Sequence, residues 1–309
     1  MDQRRIIFVV GPTGVGKTEI SFHLARRLNA QIISGDAMQV YKEVSIVSGK
    51  PPEAILKKIP HHLIGIVSIT EEFDVMNFHQ RAKAVLQRVL TQNQIPIVVG
   101  GSGLYVQVLL DGLFMGVPQD IRLRGQLEAV AEEQGNDFLF GQLTQWDPTS
   151  AQRIHPHDRK RMIRALEVFL KTRRPISVWQ AKREGLWGKF DIHIFGLNKE
   201  RDKLYQAIDQ RVEGMVQHGA VGEIERLKDA PWSRTARKII GVEEIFGFLK
   251  REYPLEKAKE LMKFHTHQYA KRQLTWFRRE KRLHWIMIGS REASEAVAFR
   301  ITERLTRNE

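Results

Sequence analysis

The 309-residue sequence contains no cysteine, which excludes disulfides and cysteine-ligated zinc. It also has no signal-peptide pattern and no run of about eighteen apolar residues, so we expect a cytoplasmic protein without a membrane segment. Internal repeats and low-complexity segments are missing too. What remains is a mixed composition with 42% hydrophobic residues, which suits a globular core.

Negatively charged residues are few relative to positive ones. The chain has 49 Lys and Arg against 36 Asp and Glu, a formal net charge of +13. This surplus favours a polyanionic partner, most simply a nucleic acid, although a basic protein without such a partner has the same composition. The length exceeds what one core usually organises, so we expect a main domain with a second module.

The most specific motif follows an apolar stretch at residues 6–10. Residues 11–18 read G-P-T-G-V-G-K-T, a phosphate loop in which backbone N–H groups and a helix N-terminus surround a diphosphate or triphosphate. We expect Lys17 to neutralise the distal phosphate and the Thr18 hydroxyl to bind Mg²⁺. The candidate phosphate-binding residues are Gly11, Thr13, Gly14, Val15, Gly16, Lys17 and Thr18.

Short apolar runs alternate with helical patterns in the first part of the chain. We predict strands at 6–10, 31–34 and 95–99, and helices at 17–28 and 77–92. This alternation is typical of an α/β fold, here a P-loop NTPase-like parallel sheet flanked by helices.

A mainly helical segment then interrupts the strand pattern. The elements predicted from there on are helices at 121–135 and 159–172, a strand at 191–197, a helix at 199–218 and a basic helical region at 254–282. We therefore predict a P-loop core formed by 1–116 and 191–309, with a helical insertion at 117–190 that contacts nucleic acid.

Two polar side chains follow predicted strands. Asp36 comes after 31–34, and Ser102 lies in a glycine-rich turn after 95–99. Because ligands gather beyond the carboxyl ends of parallel strands, we expect both to face the phosphate ligand, although caps and turns use the same residue types. In most P-loop phosphotransferases an Asp at the end of such a strand holds Mg²⁺. Strand 95–99 lacks this Asp, which argues against a simple ATPase.

Arg211 interrupts the apolar stripe that Leu204, Ile208 and Met215 form on the predicted helix 199–218. An arginine on a core-facing stripe is costly unless it meets an anion. Two interpretations follow: Arg211 reaches the bound phosphates, or its guanidinium extends to the edge of the stripe.

Two basic clusters fit the expected nucleic acid partner. On the predicted helix at 254–282, an outward strip contains Arg272, Thr275, Arg279 and Arg282. A second cluster at 159–164 contains Arg161 and Arg164. Both can follow a phosphate backbone, but solvated basic faces show the same pattern.

These motifs form an ordered series that resembles the bacterial tRNA dimethylallyltransferase family, also called tRNA isopentenyltransferases, over nearly the whole length. A phosphate loop alone is common, whereas the series is highly specific. The matching motifs are GPT at 11–13, GKT at 16–18, ISGD at 33–36, QVY at 39–41, KP at 50–51, PHHL at 60–63, VGGSGLY at 99–105, RIHPHD at 153–158, RMIRALEV at 161–168, QR at 210–211, IG at 240–241 and KRQLTWF at 271–277.

The resemblance implies transfer of a dimethylallyl group from dimethylallyl diphosphate to tRNA. The acceptor is the exocyclic N6 amine of the adenosine 3′-adjacent to the anticodon, in tRNAs reading codons that begin with U, and the products are N6-dimethylallyladenosine and diphosphate. The phosphate loop then holds a leaving group, with Mg²⁺ as cofactor. The implied catalytic residues are Asp36 as the base, with Ser102 and Arg211 on the diphosphate.

The resemblance also implies contacts with the tRNA anticodon stem-loop, and we expect a monomer. The implied tRNA-binding residues are Gln39, Arg161, Arg164, Arg272, Gln273 and Arg279. Ala37, Ser102 and Val242 depart from the family pattern, in which serine, threonine and tyrosine are usual. A P-loop kinase for a nucleoside or other small metabolite, and an RNA-binding module without covalent chemistry, are the alternatives.

Overall fold

The computed structural model describes residues 4–114 and 117–306. Its strands are β1 (Arg5–Val10), β2 (Gln31–Ser34), β3 (His61–His62), β4 (Pro96–Gly100), β5 (Asp191–Asn198) and β6 (Leu283–Met287). They form one sheet in the order β3-β2-β4-β1-β5-β6, with every pairing parallel. The predicted parallel sheet flanked by helices is confirmed.

β1 lies inside the sheet because it is apolar on both faces. Residues 6–10 are all fully buried, as is typical of a parallel strand covered by helices on each side. At its carboxyl end, Val10 lies opposite Gly100 of β4 and Gly196 of β5. Since β4 also pairs with β2, the loops that follow β1, β2 and β4 leave the sheet at one edge.

Helices cover both faces of this sheet and form a separate cluster in the middle of the chain. They are α1 (Lys17–Leu28), α2 (Glu53–Leu56), α3 (Val75–Thr91), α4 (Gly103–Asp111), α5 (Ile121–Trp146), α6 (Pro148–Ala151), α7 (Arg159–Thr172), α8 (Ile176–Ala181), α9 (Arg201–Gln217), α10 (Ala220–Glu225), α11 (Val242–Leu249), α12 (Leu255–Phe277) and α13 (Ser294–Thr306). Across residues 4–114 and 117–306, none of them combines the length and apolar character that a membrane crossing requires.

The chain divides into two compact units. One comprises Met1–Leu110 and Leu186–Glu309 and contains the sheet, and the other is the helical unit Asp111–Gly185. The predicted insertion, 117–190, differs from this unit at both ends. The chain rejoins the sheet-containing unit early because the N–H groups of Leu186 and Trp187 donate to the carbonyls of Leu109 and Leu110.

The helical unit has its own apolar core. On α7, the Asp158 carboxylate caps the first turn by accepting from the Arg161 N–H. The spacing of apolar residues then buries one face of α7, including Met162 and Leu166, against α5. The predicted helix at 121–135 continues to Trp146, with non-helical backbone at Gly135, where two helical segments meet.

Two strands, β3 and β6, were not predicted, and the end of the basic helix was predicted incorrectly. β3 is only two residues long and β6 directly follows the basic segment, so neither carries a clear strand pattern of its own. The helix predicted at 254–282 ends at Phe277, and Arg279 and Arg282 lie beyond it. Of the outward strip expected on that helix, Arg272 and Thr275 are helical. The prediction is wrong for Arg279 and Arg282.

Candidate active site

The phosphate loop connects β1 to α1 through three glycines with positive φ. A Cβ at Gly11 would lie 2.5 Å from the Leu197 carbonyl oxygen, so the loop runs directly against β5. Gly16 is left-handed and precedes α1 without any side-chain cap. The first N–H groups of α1 therefore keep the capacity to bind an anion.

The Lys17 side chain folds back onto the start of the phosphate loop. Its Nζ donates to the carbonyls of Gly11 (3.0 Å) and Pro12 (2.8 Å). Burial lowers the pKa of Lys17 to about 8, while the Asp36 carboxylate opposes this shift and the Arg211 guanidinium adds to it. A bound anion would therefore favour the charged form of Lys17, which burial disfavours.

The ends of β2 and β4 touch, which brings Asp36 and Ser102 together. A Cβ at Gly100 would lie 2.2 Å from the Gly35 carbonyl oxygen, so only glycine permits this approach. Beyond the strands, the Ala37 N–H donates to Ser102 Oγ (3.2 Å), and Asp36 Oδ1 accepts from the Met38 N–H (2.8 Å). Both polar residues thus belong to the edge of the sheet that carries the phosphate loop.

Arg211 reaches this edge from α9. Its guanidinium lies on the backbone of Gly49, where a Cβ would be 1.7 Å from Nη2 and where φ is +63°. Burial lowers the pKa of Arg211, and the nearby Asp36 carboxylate counteracts that shift. Arg211 thus lies near Asp36 and against Gly49, and its contact with a phosphate stays a prediction.

Glu223 on α10 shapes the loop that holds Arg211, a role that the sequence did not reveal. Its carboxylate is buried and accepts from the N–H groups of Ser45, Ile46 and Val47 at 2.7 to 3.1 Å. Gly49 follows two residues later. No local sequence pattern indicates this role, because the N–H partners lie 176 to 178 residues away in the chain.

Tyr269 on α12 is a second residue that sequence reasoning missed. Burial and the neighbouring Asp36 carboxylate raise its pKa to about 12, although hydrogen bonds with Ser102 and Gln273 oppose the shift. The phenol therefore stays protonated at neutral pH. Its position four residues before Gln273 places both on one face of the helix.

Gln273, which the family resemblance implies binds tRNA, is buried within the site. Its Oε1 accepts from the Thr13 N–H (2.9 Å), and its Nε2 donates to the Gly101 carbonyl (3.0 Å). The Thr13 N–H, predicted to bind phosphate, is therefore engaged by a side chain. No local pattern could predict this link, because 260 residues separate its two ends.

Comparisons with known proteins identify the family. The model of the IPP transferase family matches residues 39–280. A tRNA dimethylallyltransferase from Alkaliphilus oremlandii is 40% identical over 299 residues, which cover 96% of this chain and 95% of that protein. This chain belongs to the tRNA dimethylallyltransferase family. The family resemblance seen in the sequence is confirmed.

Solved structures of the same family have the same fold. The tRNA isopentenylpyrophosphate transferase from Bacillus halodurans superposes with a TM-score of 0.71 at 33% identity, covering 99% of this chain and 98% of that one. A eukaryotic dimethylallyltransferase acting on tRNA gives a TM-score of 0.82 at 28% identity, covering 99% of this chain and 80% of that one.

Gln39, which the family resemblance implies binds tRNA, lies inside the site. Its Oε1 accepts from Ser34 Oγ (3.1 Å) and its Nε2 donates to the Gly49 carbonyl (2.9 Å). A cavity lies beside it; its lining includes Lys17, Thr18, Ser34, Asp36 and Gln39. Gln39 therefore connects the end of β2 to the loop under Arg211.

The basic residues of α12 and its continuation differ in exposure to solvent. Arg272 is exposed, with its guanidinium 5.8 Å from the Tyr269 ring centroid, and it lines a second groove with Arg237 and Phe264. Arg279 is exposed beyond the helix end. Arg282, in contrast, is paired with Glu280 at 2.7 Å, which accounts for part of its guanidinium.

In the helical unit, Arg161 and Arg164 have different surroundings. Arg161 is exposed and pairs with Asp158 at 3.2 Å. Arg164 donates to the buried Glu167 (2.6 Å) and to the Val117 carbonyl (2.7 Å). Burial alone would raise the pKa of Glu167, but its hydrogen bonds, including one from Arg164, lower it overall. Arg164 thus has a structural partner, whereas Arg161 faces solvent.

Proposed function

We propose that this protein transfers a dimethylallyl group from dimethylallyl diphosphate to the N6 amine of the adenosine 3′-adjacent to the anticodon. Its tRNA substrates read codons that begin with U. The observation that carries the proposal is the meeting of Lys17, Asp36 and Arg211 at one edge of the sheet, within a chain of this family. Two cations and the free N–H groups of α1 suit a diphosphate, and a carboxylate beside them suits proton removal.

The cationic side of the site stabilises the leaving group. In the reaction the bond between the allylic carbon and the diphosphate oxygen breaks, and the diphosphate leaves with the electron pair. Lys17, Arg211 and the amides of 14–16 would take up the charge that develops on that oxygen. We assign a further hydrogen bond to the Ser102 hydroxyl, which lies beside Ala37 beyond the strand ends.

Asp36 acts on the amine of the acceptor adenosine. As N6 bonds to the allylic carbon, the amine loses a proton, which we assign to the Asp36 carboxylate. An aromatic amine is a weak nucleophile, so its alignment within about 3–3.5 Å of the carbon supplies much of the rate. The target base must leave its stack to reach the site, and an anticodon loop makes this inexpensive because it is already partly unpaired.

Thr18 fits a magnesium ion that accompanies the diphosphate. Mg²⁺ commonly binds through one or two protein oxygens together with phosphate oxygens and water, and Thr18 lines the same cavity as Lys17. Within residues 4–114 and 117–306, no group of three or more His, Asp or Glu offers an all-protein site. When bound, the ion would neutralise charge on the departing diphosphate.

A kinase is the less favoured alternative. Its metal-binding acid would lie at the end of β4, but β4 ends at Gly100 and is followed by Gly101 and Ser102. A leaving diphosphate does not require that acid, since no phosphorus atom is attacked.

The acceptor tRNA requires a basic surface. In the sheet-containing unit we assign this role to the exposed Arg272 and Arg279. The helical unit, taken by itself, offers the exposed Arg161 as a phosphate contact. Arg164 and Gln273 are left out because their polar groups bind within the protein. A net charge of +13 is in keeping with such a polyanionic substrate.

The test is incubation of the purified protein with unmodified tRNA, Mg²⁺ and dimethylallyl diphosphate, followed by nucleoside mass spectrometry. We expect a prenylated adenosine from the wild type and none from Lys17→Met. Phosphorylation of a small metabolite with ATP, without a prenylated nucleoside, would instead support the kinase. Binding of tRNA without a product would indicate an RNA-binding module.

A further inference from the structure

One buried side chain connects α12 to both segments that flank the predicted diphosphate. We propose that Gln273 is a positioning residue that sets the phosphate loop for the donor, instead of contacting tRNA. This inference rests on the proposed function, since it takes the ligand of the loop to be a diphosphate.

The two ends of the Gln273 amide have different partners. Oε1 accepts from the Thr13 N–H (2.9 Å) and Nε2 donates to the Gly101 carbonyl (3.0 Å). Both bonds therefore require an amide with its oxygen towards the phosphate loop. A glutamate of the same length lacks the donor, and a methionine of similar length lacks both groups.

The Gln273 amide occupies space that is available because Gly101 has no side chain. A Cβ at Gly101 would lie 2.1 Å from Gln273 Nε2 and 3.2 Å from the Gly11 carbonyl oxygen. Three segments that are distant in the sequence thus meet at one point: the phosphate loop, the turn after β4, and α12. Gln273 is only 5% exposed, so water cannot readily take over its hydrogen bonds.

The consequence concerns the amides that remain for the ligand. Because the Thr13 N–H is engaged by Gln273, the loop presents its later N–H groups, from Gly14 onward, to the diphosphate. Through Gly101 the same amide also sets the turn that holds Ser102. Gln273 thereby fixes two ligand-binding segments relative to each other before the donor binds, which lowers the ordering cost of binding.

The first experiment measures binding of inorganic pyrophosphate, with Mg²⁺ present, by titration calorimetry. We expect Gln273→Met to weaken it about tenfold, since two buried hydrogen bonds that order the loop are lost. Gln273→Glu should weaken it further, because a carboxylate would face the Gly101 carbonyl. The control Gln80→Met changes an exposed glutamine on α3 and should bind pyrophosphate as the wild type does.

Steady-state kinetics separates positioning from RNA contact. For Gln273→Met we expect the KM for dimethylallyl diphosphate to rise about tenfold, and the KM for tRNA to stay within about twofold. A rise in the KM for tRNA with unchanged pyrophosphate binding would overturn the inference in favour of an RNA contact.

A double-mutant cycle tests the contact itself. Gly101→Ala alone should weaken pyrophosphate binding, because its Cβ displaces the amide, and should add little in the Gln273→Met background. Full additivity would contradict the inference. Gly125→Ala is the matched control, since nothing lies within 4 Å of the added Cβ.

The inference and the proposed function can fail separately. If wild-type protein makes prenylated adenosine but Gln273→Met binds pyrophosphate normally, the positioning role is wrong and the function stands. If the wild type makes no prenylated adenosine while Gln273→Met still weakens pyrophosphate binding, the positioning role stands and the function is wrong.

Discussion

At the scale of single residues, the buried ammonium of Lys17 links pH to both stability and binding. Its pKa falls from 10.5 to about 8 mainly through burial. Since the folded protein binds this proton less tightly than the unfolded chain, the charged ammonium costs folding free energy below pH 8. That cost declines as the pH rises from about 8 to 10.5. A bound anion would raise the pKa of Lys17 again, because it favours the charged form.

We therefore expect donor affinity to fall as the pH rises above about 8. The ammonium of the free protein deprotonates there, and binding must then include uptake of a proton. The measurement is calorimetric titration with dimethylallyl diphosphate, without RNA, between pH 7 and pH 9.5. In Lys17→Met the affinity should be low and should lose this decline. A wild-type profile that matches that of Lys17→Met would contradict the assignment.

A second prediction at this scale concerns Arg211. Replacing it by lysine keeps a positive charge but removes the planar guanidinium that lies on Gly49, so donor affinity should fall about tenfold. Arg226→Lys is the control, since Arg226 is exposed. Equal donor affinity in Arg211→Lys and the control would show that charge alone is sufficient.

At the scale of elements, the loop that precedes Gly49 depends on α10. The Glu223 carboxylate satisfies three backbone N–H groups of that loop. The loop and α10 together therefore support the Arg211 guanidinium. The Glu223 carboxylate has no direct part in the proposed reaction.

Glu223→Gln should lower the free energy of unfolding by about 2 kcal/mol, because an amide nitrogen would meet N–H groups that now have an acceptor. It should also weaken donor binding, since the loop under Arg211 loosens. Urea denaturation and donor titration give the two values. The control Glu225→Gln changes an exposed residue of the same helix. Stability equal to that of the control would contradict this role.

The elements with strong local signals were predictable from the sequence. α1, α7 and β2 have the predicted bounds because an apolar period, a phosphate-loop glycine or an Asp cap marks them. β6 was not predictable, since its five residues show no regular alternation of buried and exposed positions and directly follow a basic segment. The meeting of Asp36, Ser102 and the phosphate loop followed from strand order, whereas Gln273 and Glu223 act through contacts between distant segments that no local pattern encodes.

At the scale of the whole molecule, the excess of positive charge is expected to govern binding of tRNA more than of the donor. Phosphate contacts made by exposed arginines make affinity strongly dependent on salt. The exposed Arg272 lies on the same helix as the buried Gln273, so the two faces of α12 are expected to affect different substrates.

Arg272→Glu should weaken binding of an anticodon stem-loop RNA and reduce the salt dependence of that binding by about one phosphate contact. Pyrophosphate binding should stay unchanged. Filter binding at several salt concentrations gives the slope, and Lys228→Glu, at another exposed position, controls for net charge. An RNA affinity no lower than that of the control would remove Arg272 from the RNA surface.

The most direct test of the central claim is a single-turnover experiment on Asp36→Asn with saturating donor and unmodified tRNA. If Asp36 takes the proton of the N6 amine, the rate of transfer should fall by about 10²–10⁴, while donor affinity stays near the wild-type value. A rate close to that of the wild type would contradict the role of Asp36 as the base, and with it the chemistry proposed for the site.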